Sequence, residues 1–112
     1  MRSKRPAPLT PWDAADHLRT ERDVLGYLNA ALEERDPMLV AAVIGDIARA
    51  KGMSDIARKA NFGRESLYKA LSQTGNPQFG TVLRVLDALD IELRAVPRPR
   101  SRSVAARRAR IG

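Results

Sequence analysis

The chain has 112 residues, 44% of them hydrophobic and 29% charged, which is the composition of one globular domain with a modest core. It has no cysteine, which excludes a disulfide framework and thiol catalysis and favours a reducing compartment. The formal net charge of +7 is typical of proteins that have an anionic partner.

The expected fold is all-α, a small bundle of five to six helices. Only 4% of the residues are aromatic, so the core has to consist mainly of aliphatic side chains, which suit helix-on-helix packing better than a sheet sandwich. Residues 1–12 are predicted to be a flexible basic arm, followed by a helical domain at 13–96. No apolar stretch is long enough for a signal peptide or a membrane span, so we expect a cytoplasmic protein without a membrane partner.

Two helices are predicted before residue 35. Asp13 can cap a short helix that starts at Ala14, and Thr20 can cap a longer one that ends near Glu34. The apolar positions of the longer helix recur at spacings of three and four residues, as in a helix with one buried face: Val24, Leu25, Leu28, Ala31 and Leu32.

A third helix and a short fourth helix follow. Asp36 and Pro37 form a cap and first-turn pair, which predicts a helix that stops before Gly52. Ser54 is then predicted to cap a short helix that ends at about Ala60. A helix of about two turns is not stable alone, so this one has to be held by packing against its neighbours.

A fifth helix is predicted from Arg64 to about Leu71, after the turn 61–63. The fourth and fifth helices then match a pattern in which two short helices cross around a small residue. Ala57 is that small residue, and Asn61 suits the turn because asparagine tolerates the left-handed conformation. The spacing therefore predicts a helix-turn-helix whose second helix can enter a major groove. Its expected buried positions are Ile56, Ala57, Ala60, Phe62, Leu67 and Ala70.

The C-terminal part of the chain is predicted to contain one more helix, from about Phe79 to Leu89. The segment 91–96 alternates apolar and charged residues with the period of a strand. Two interpretations of this segment stay open: a short strand that pairs with its copy in a dimer, and an extended strap over the core. Residues 97–112 contain six arginines and few residues that could be buried, so they are predicted to be a disordered tail.

The outer face of the fifth helix is the candidate DNA-reading surface. Arg64 lies in the first turn, where its guanidinium can donate to guanine O6 and N7, and Lys69 lies about one turn further along. Glu65 can accept from cytosine N4 or brace Arg64. Tyr68 can alternatively cover the hinge between the two helices, and Ser66 can alternatively face a neighbouring helix. The DNA-binding candidates are Arg64, Glu65, Ser66, Tyr68, Lys69 and Ser72, with Ser54, Arg58, Lys59, Gln73 and Asn76 as backbone contacts.

Three stretches of the sequence carry a resemblance to a known family: YLNAALEE followed after one arginine by DP, IGDIARAKGMSDIARKANFGRESLYKALS, and GNPQFGTVLRVLDALDIEL. From about Ala14 to Leu93 the chain resembles the antidote (antitoxin) proteins of addiction modules, the type II toxin-antitoxin systems. These are a branch of the phage-repressor-like (Xre/Cro type) helix-turn-helix proteins. One difference from the wider group is that the first helix of the motif begins with Ser54 and Asp55 instead of Thr-Gln.

The resemblance implies a homodimer that binds double-stranded operator DNA, represses its own operon and neutralises a small basic toxin of the RelE-like ribonuclease type, without a cofactor. Residues 47–84 contain seven basic and two acidic side chains, which fits a DNA surface, although such charges are often only a solvated face. Residues 7–46 contain eight acidic and three basic side chains, which are either the solvent face of amphipathic helices or a dock for a cationic toxin.

An enzymatic function is not expected. The single histidine, His17, has no cysteine or second imidazole with which to hold zinc, and the sequence has no phosphate-binding glycine loop and no recognisable nucleophile-base pair. Two other hypotheses remain beside the antidote. One is a solitary prophage-type transcriptional repressor without a toxin, and the other is a toxin-sequestering module that does not bind DNA.

Overall fold

Six α-helices make up the regular secondary structure of a computed structural model of the chain, which describes residues 6–72 and 75–98. They are α1 (Pro11–His17), α2 (Glu21–Glu34), α3 (Pro37–Lys51), α4 (Met53–Ala60), α5 (Arg64–Ala70) and α6 (Phe79–Ala88). No strand occurs in these residues, so the all-α prediction is confirmed and the segment 91–96 is not a strand within the single chain. The tail prediction lies, from residue 99 onward, outside the described residues.

The two longest helices, α2 and α3, begin where the sequence predicts because their capping groups are local. The Thr20 hydroxyl accepts a hydrogen bond from the backbone of Asp23 at 3.0 Å, and the Asp23 carboxylate accepts one from the backbone of Thr20 at 3.2 Å. The Asp36 carboxylate accepts from the backbone N–H groups of Met38 and Leu39. A cap of this kind typically stabilises a helix by about 1 kcal/mol.

Helix α1 begins at Pro11 rather than at Ala14, and the prediction that Asp13 caps it is wrong. Thr10 is the cap, since its side-chain oxygen accepts a hydrogen bond from the backbone N–H of Asp13 at 3.1 Å. Proline is favoured in the first turn because a backbone N–H at that position has no acceptor within the helix, so its absence costs nothing. The Thr10–Pro11 pair therefore sets the earlier start. Asp13 lies within the first turn, where its negative charge complements the helix dipole.

Helix α4 begins at Met53, and the prediction that Ser54 caps it is wrong. Gly52 precedes the helix with a φ of 109°, a conformation that favours glycine and lets the chain change direction directly after α3. Met53 is buried in the core, whereas Ser54 is exposed inside the helix and no side chain caps the N-terminus. Burial of Met53 therefore determines where α4 starts.

Helix α3 is the central helix of the bundle. Its residues 41–48 are all buried, and α1, α2 and α4 pack against it, while α4 also contacts α5 and α6. Full burial of one large aliphatic side chain stabilises the fold by about 1.5–3 kcal/mol, so tertiary packing can hold helices as short as α4 and α5. The largest fully buried apolar side chains are Val43, Ile44, Ile47, Leu67, Leu71 and Val85.

Helix α3 and the end of α5 meet almost backbone to backbone at Gly45. A Cβ atom at Gly45 would lie 2.4 Å from the carbonyl oxygen of Leu71. Leu71 is the C-terminal cap residue of α5 and is fully buried. The absence of a side chain at Gly45 therefore sets how closely α5 approaches the central helix.

A buried carboxylate joins the N-terminal segment to α2 and α3. The side chain of Asp46 accepts three hydrogen bonds, from the backbone N–H of Leu9 at 2.7 Å, the Tyr27 hydroxyl at 2.7 Å and the Arg49 guanidinium at 2.6 Å. Burial and the hydrogen bond to Asp46 raise the pKa of Tyr27, so its hydroxyl stays protonated and donates. Leu9 also packs against the core, within the segment predicted to be a flexible arm.

Candidate nucleic-acid interface

Helices α4 and α5 are joined by the turn 61–63, as the sequence predicts. Asn61 adopts the left-handed conformation, with φ 63° and ψ 48°. Its backbone N–H donates to the Arg58 carbonyl at 3.2 Å, and the N–H of Phe62 donates to the Ala57 carbonyl at 2.8 Å. These two bonds satisfy carbonyl groups at the end of α4 that would otherwise lack a partner, so the change of direction is well defined.

Four of the six positions predicted to be buried on the inner face of the α4–α5 pair are buried. Ala57 is 2% exposed, which leaves no room for a larger side chain where α4 packs into the bundle. Ile56, Ala60 and Leu67 are also buried, whereas Phe62 and Ala70 are partly buried. The same burial that holds α5 on the core fixes which of its side chains face outward.

The outer face of α5 presents a compact group of polar side chains. Arg64, Glu65, Tyr68 and Lys69 are exposed and together line one shallow depression on the surface. Within the described residues, neither Arg64 nor Lys69 forms an ion pair. Both cationic groups are therefore available to an external ligand. Ser66 is exposed as well and is not covered by a neighbouring helix.

The residues predicted to contact the DNA backbone differ more in their exposure and pairing than the group on α5 does. Arg58 and Lys59 are exposed on α4, but both pair with the Asp55 carboxylate, Lys59 at 3.4 Å. The Ser72 hydroxyl donates to the Lys69 carbonyl at 2.8 Å, which continues the last turn of α5. Ser54 is exposed at the start of α4, Asn76 is exposed in the loop before α6, and Gln73 lies outside the described residues.

Arg84 of α6, which the sequence analysis did not single out, holds the turn between α4 and α5. Its Nε and Nη2 donate to the Ala60 carbonyl at 3.2 and 2.9 Å, and Nη2 also lies 2.9 Å from the Asn61 carbonyl. Its Cζ lies 4.0 Å from the centre of the Phe62 ring, within the range of a cation–π contact. The sequence carries no signal for this role, because it depends on which helices are neighbours.

Arg49 makes a second contact that the sequence analysis did not identify. Its Cζ lies 5.5 Å from the centre of the Tyr68 ring, and its Nη2 donates to the buried Asp46 carboxylate at 2.6 Å. Tyr68 is still 53% exposed, so it is supported from one side and open to solvent on the other. The group on α5 is thereby connected to the core through Arg49.

Other kinds of site find little support in residues 6–72 and 75–98. No cluster of metal-ligating side chains occurs in them. His17 is exposed, and its Nδ1 lies 2.9 Å from the backbone oxygen of Asp13, on the same helix. Across the same two ranges, no helix has both the length and the apolar character needed to cross a membrane.

A family model described as probable addiction module antidote protein matches residues 8–97 of the chain. The chain belongs to this antidote family. The matched range includes all six helices, and with them the exposed group on α5 and the turn held by Arg84. Membership suggests a regulatory, non-catalytic protein and implies a toxin as the partner of the antidote.

A relative of this antidote-family chain occurs in Haemophilus influenzae and is described only as an uncharacterized protein. It is 50% identical over 84 residues, which are 75% of this chain and 87% of the relative. No solved structure matches the chain. The relative thus has nearly the same extent as the domain described here, but its description adds no activity.

Proposed function

We propose that this antidote-family protein is the antitoxin of a toxin-antitoxin module, which binds operator DNA through α4 and α5 acting as a helix-turn-helix, represses its own operon and neutralises a RelE-like ribonuclease toxin. The observation that carries the DNA-binding part is the group Arg64, Glu65, Tyr68 and Lys69, exposed on one side of α5 while its other side is anchored in the core. In this proposal α5 is the recognition helix, and the protein acts in the cytoplasm.

The chemistry of the recognition helix suits the edges of base pairs. Arg64 at the start of α5 has no ion-pair partner among the described residues, so its guanidinium can donate two hydrogen bonds to guanine O6 and N7. One such contact discriminates between bases by about 1–3 kcal/mol. Glu65 would be repelled by phosphate but can accept from the N4 amino group of cytosine. Lys69 supplies a further positive charge in the last turn.

Homodimerisation belongs to the proposal because α5 has only seven residues. One such helix reaches too few base pairs for specific binding. Two copies that read successive major grooves, about 34 Å apart, gain affinity and select a palindromic site.

Neutralisation of the toxin rests on the family and on charge. A ribonuclease that binds RNA is cationic, and acidic side chains are exposed on the N-terminal helices, far in sequence from α5: Asp16, Glu21, Asp23 and Glu33. Opposite charges on the two proteins would accelerate their association and favour the correct partner. Toxin and DNA would then bind to different parts of the antitoxin.

The test of the DNA-binding proposal is an electrophoretic mobility shift titration with the DNA upstream of the gene and with a shuffled sequence of equal length. The wild-type protein should prefer its upstream DNA. Arg64→Ala should lower discrimination at one base pair by about 1–3 kcal/mol, or roughly 5–150-fold in the dissociation constant. Arg22→Ala, at an exposed position on α2, is the matched control and should leave the preference unchanged.

Equal losses on the two DNA sequences for Arg64→Ala would contradict base reading by α5. The absence of any shift with upstream DNA would instead favour a module that sequesters the toxin without binding DNA. One observation supports this second candidate: Asp55 pairs with Arg58 and Lys59 and so reduces the positive charge that α4 can offer to phosphates.

A further inference from the structure

The last described segment of the chain leaves α6 with its backbone largely unpaired. Asp90 turns the chain with a φ of 59°, and the N–H of Ile91 donates to the Leu86 carbonyl at 2.8 Å. From Glu92 to residue 98, no backbone hydrogen bond connects the segment to any other described residue. A segment anchored at its start and unpaired afterwards offers its N–H and C=O groups to another chain.

An apolar groove of about 330 Å³ lies beside this segment, between α2, α3 and α6. Leu93 lines the groove together with side chains of these helices, including Val40, Phe79 and Leu86. Phe79 is 66% exposed, Leu93 41% and Val96 76%. Large apolar side chains exposed around an apolar groove are typical of a surface that another protein covers.

The sequence of the segment is self-complementary in one register. Ile91, Leu93 and Ala95 alternate with Glu92 and Arg94, and an Arg94 Nε to Glu92 Oε2 distance of 3.0 Å places the two charged groups on one side. If two copies pair antiparallel with Leu93 opposite Leu93, each Glu92 lies opposite the Arg94 of the other copy. A parallel pair in register would instead place like charges opposite each other, which is destabilising.

We propose that residues 91–96 form an antiparallel strand pair with the same residues of a second copy, centred on Leu93. Two ion pairs between Glu92 and Arg94 lie on one face of this pair. Its other face carries Ile91, Leu93 and Ala95 over the apolar grooves of the two chains. This proposal deepens the homodimer of the proposed function by naming its contact and register, and it needs no contact with DNA.

Charge reversal tests the register directly. Glu92→Arg makes both charged positions basic, and Arg94→Glu makes both acidic. A dimer of two identical variant chains therefore contains two pairs of like charge in place of the two ion pairs. Each should raise the dimer dissociation constant by at least about fourfold, because every variant dimer loses two pairs of opposite charge and gains two pairs of like charge. Mixing the two variants should restore dimers of wild-type affinity, since every pair is then of opposite charge. Sedimentation velocity of the single proteins and the mixture measures this.

The matched control uses another exposed pair of opposite charges, Asp16 and Arg19, whose side chains lie 3.5 Å apart. Asp16→Arg and Arg19→Glu should leave the dimer dissociation constant unchanged. Circular dichroism checks that all four variants fold, which is expected because all four positions are exposed.

Three outcomes would overturn the proposal: a wild-type protein that remains monomeric, charge variants that dimerise alone as well as the wild type does, or a mixture that fails to recover. A monomeric wild type would mean that a different partner, such as the toxin, covers the groove. Dimers with the expected charge behaviour that do not bind the upstream DNA would refute the operator proposal and leave this inference intact.

Discussion

Arg84 illustrates how one residue can determine the geometry of a site that it does not belong to. It lies on α6, yet its guanidinium bonds the last carbonyl groups of α4 and stacks on Phe62 in the turn before α5. A cation at the C-terminal end of a helix also complements the negative end of the helix dipole. The direction in which α5 leaves the turn therefore depends on a side chain about twenty residues further along the chain.

Arg84→Ala should lower the free energy of unfolding by about 1–3 kcal/mol, because hydrogen bonds to charged groups contribute in that range and the carbonyl of Ala60 is partly buried. Arg84→Lys keeps the charge but cannot bond both carbonyls in the same way, so an intermediate loss is expected. Urea unfolding measures both. Arg22→Ala, at an exposed position on α2, should change stability by no more than about 0.5 kcal/mol. A loss for Arg84→Ala as small as this would show that the contact does not brace the turn.

At the scale of helices, the sequence predicts features that depend on neighbouring residues and does not predict tertiary contacts. The caps Thr20 and Asp36 and the left-handed turn at Asn61 are confirmed, because each depends on residues within a few positions. The predicted start of α1 is wrong because Thr10 and Asp13 are both good caps. The predicted start of α4 is wrong because Met53 is buried at the start of the helix and no side chain caps it. The contacts of Arg84 with the turn require knowledge of which helices touch.

The close approach of α3 and α5 gives a prediction for the helix pair. Gly45→Ala should reduce the free energy of unfolding by about 1–3 kcal/mol, because the added methyl group would meet the Leu71 carbonyl oxygen at 2.4 Å. The control is Gly26→Ala on α2, where a Cβ atom meets nothing within 4 Å. That change should stabilise the protein by up to about 1 kcal/mol through helix propensity alone. If thermal and urea unfolding give the same sign for both variants, the close contact does not limit the position of α5.

For the whole molecule, the proposed functions occupy different surfaces that share helix α6. One side of α6 contributes Phe79, Val82 and Leu86 to the apolar groove, and Arg84 reaches the turn before α5. The proposed contact between copies and the proposed DNA-reading helix are thus both connected to α6. Paired recognition helices need a fixed spacing to match successive grooves, and a shared helix limits how far that spacing can vary.

The distribution of charge predicts that the tail, unlike the proposed recognition helix, strengthens DNA binding without regard to base sequence. Deleting residues 97–112 removes six arginines and leaves the segment 91–96 in place. Binding to upstream and shuffled DNA should weaken alike, and the slope of log affinity against log salt should fall by about 0.9 for each phosphate that the protein then no longer neutralises. Fluorescence anisotropy titrations at several salt concentrations measure this. An unchanged slope would mean that the tail serves only to solubilise the protein.

Asp46 has a practical consequence for handling this protein. This buried carboxylate accepts hydrogen bonds from the backbone N–H of Leu9 and from the Arg49 guanidinium. Arg49 in turn supports the Tyr68 ring. A protease cut or an affinity tag that pulls Leu9 away would strip one donor from an anion that water cannot reach. A carboxy-terminal purification handle avoids disturbing that anion.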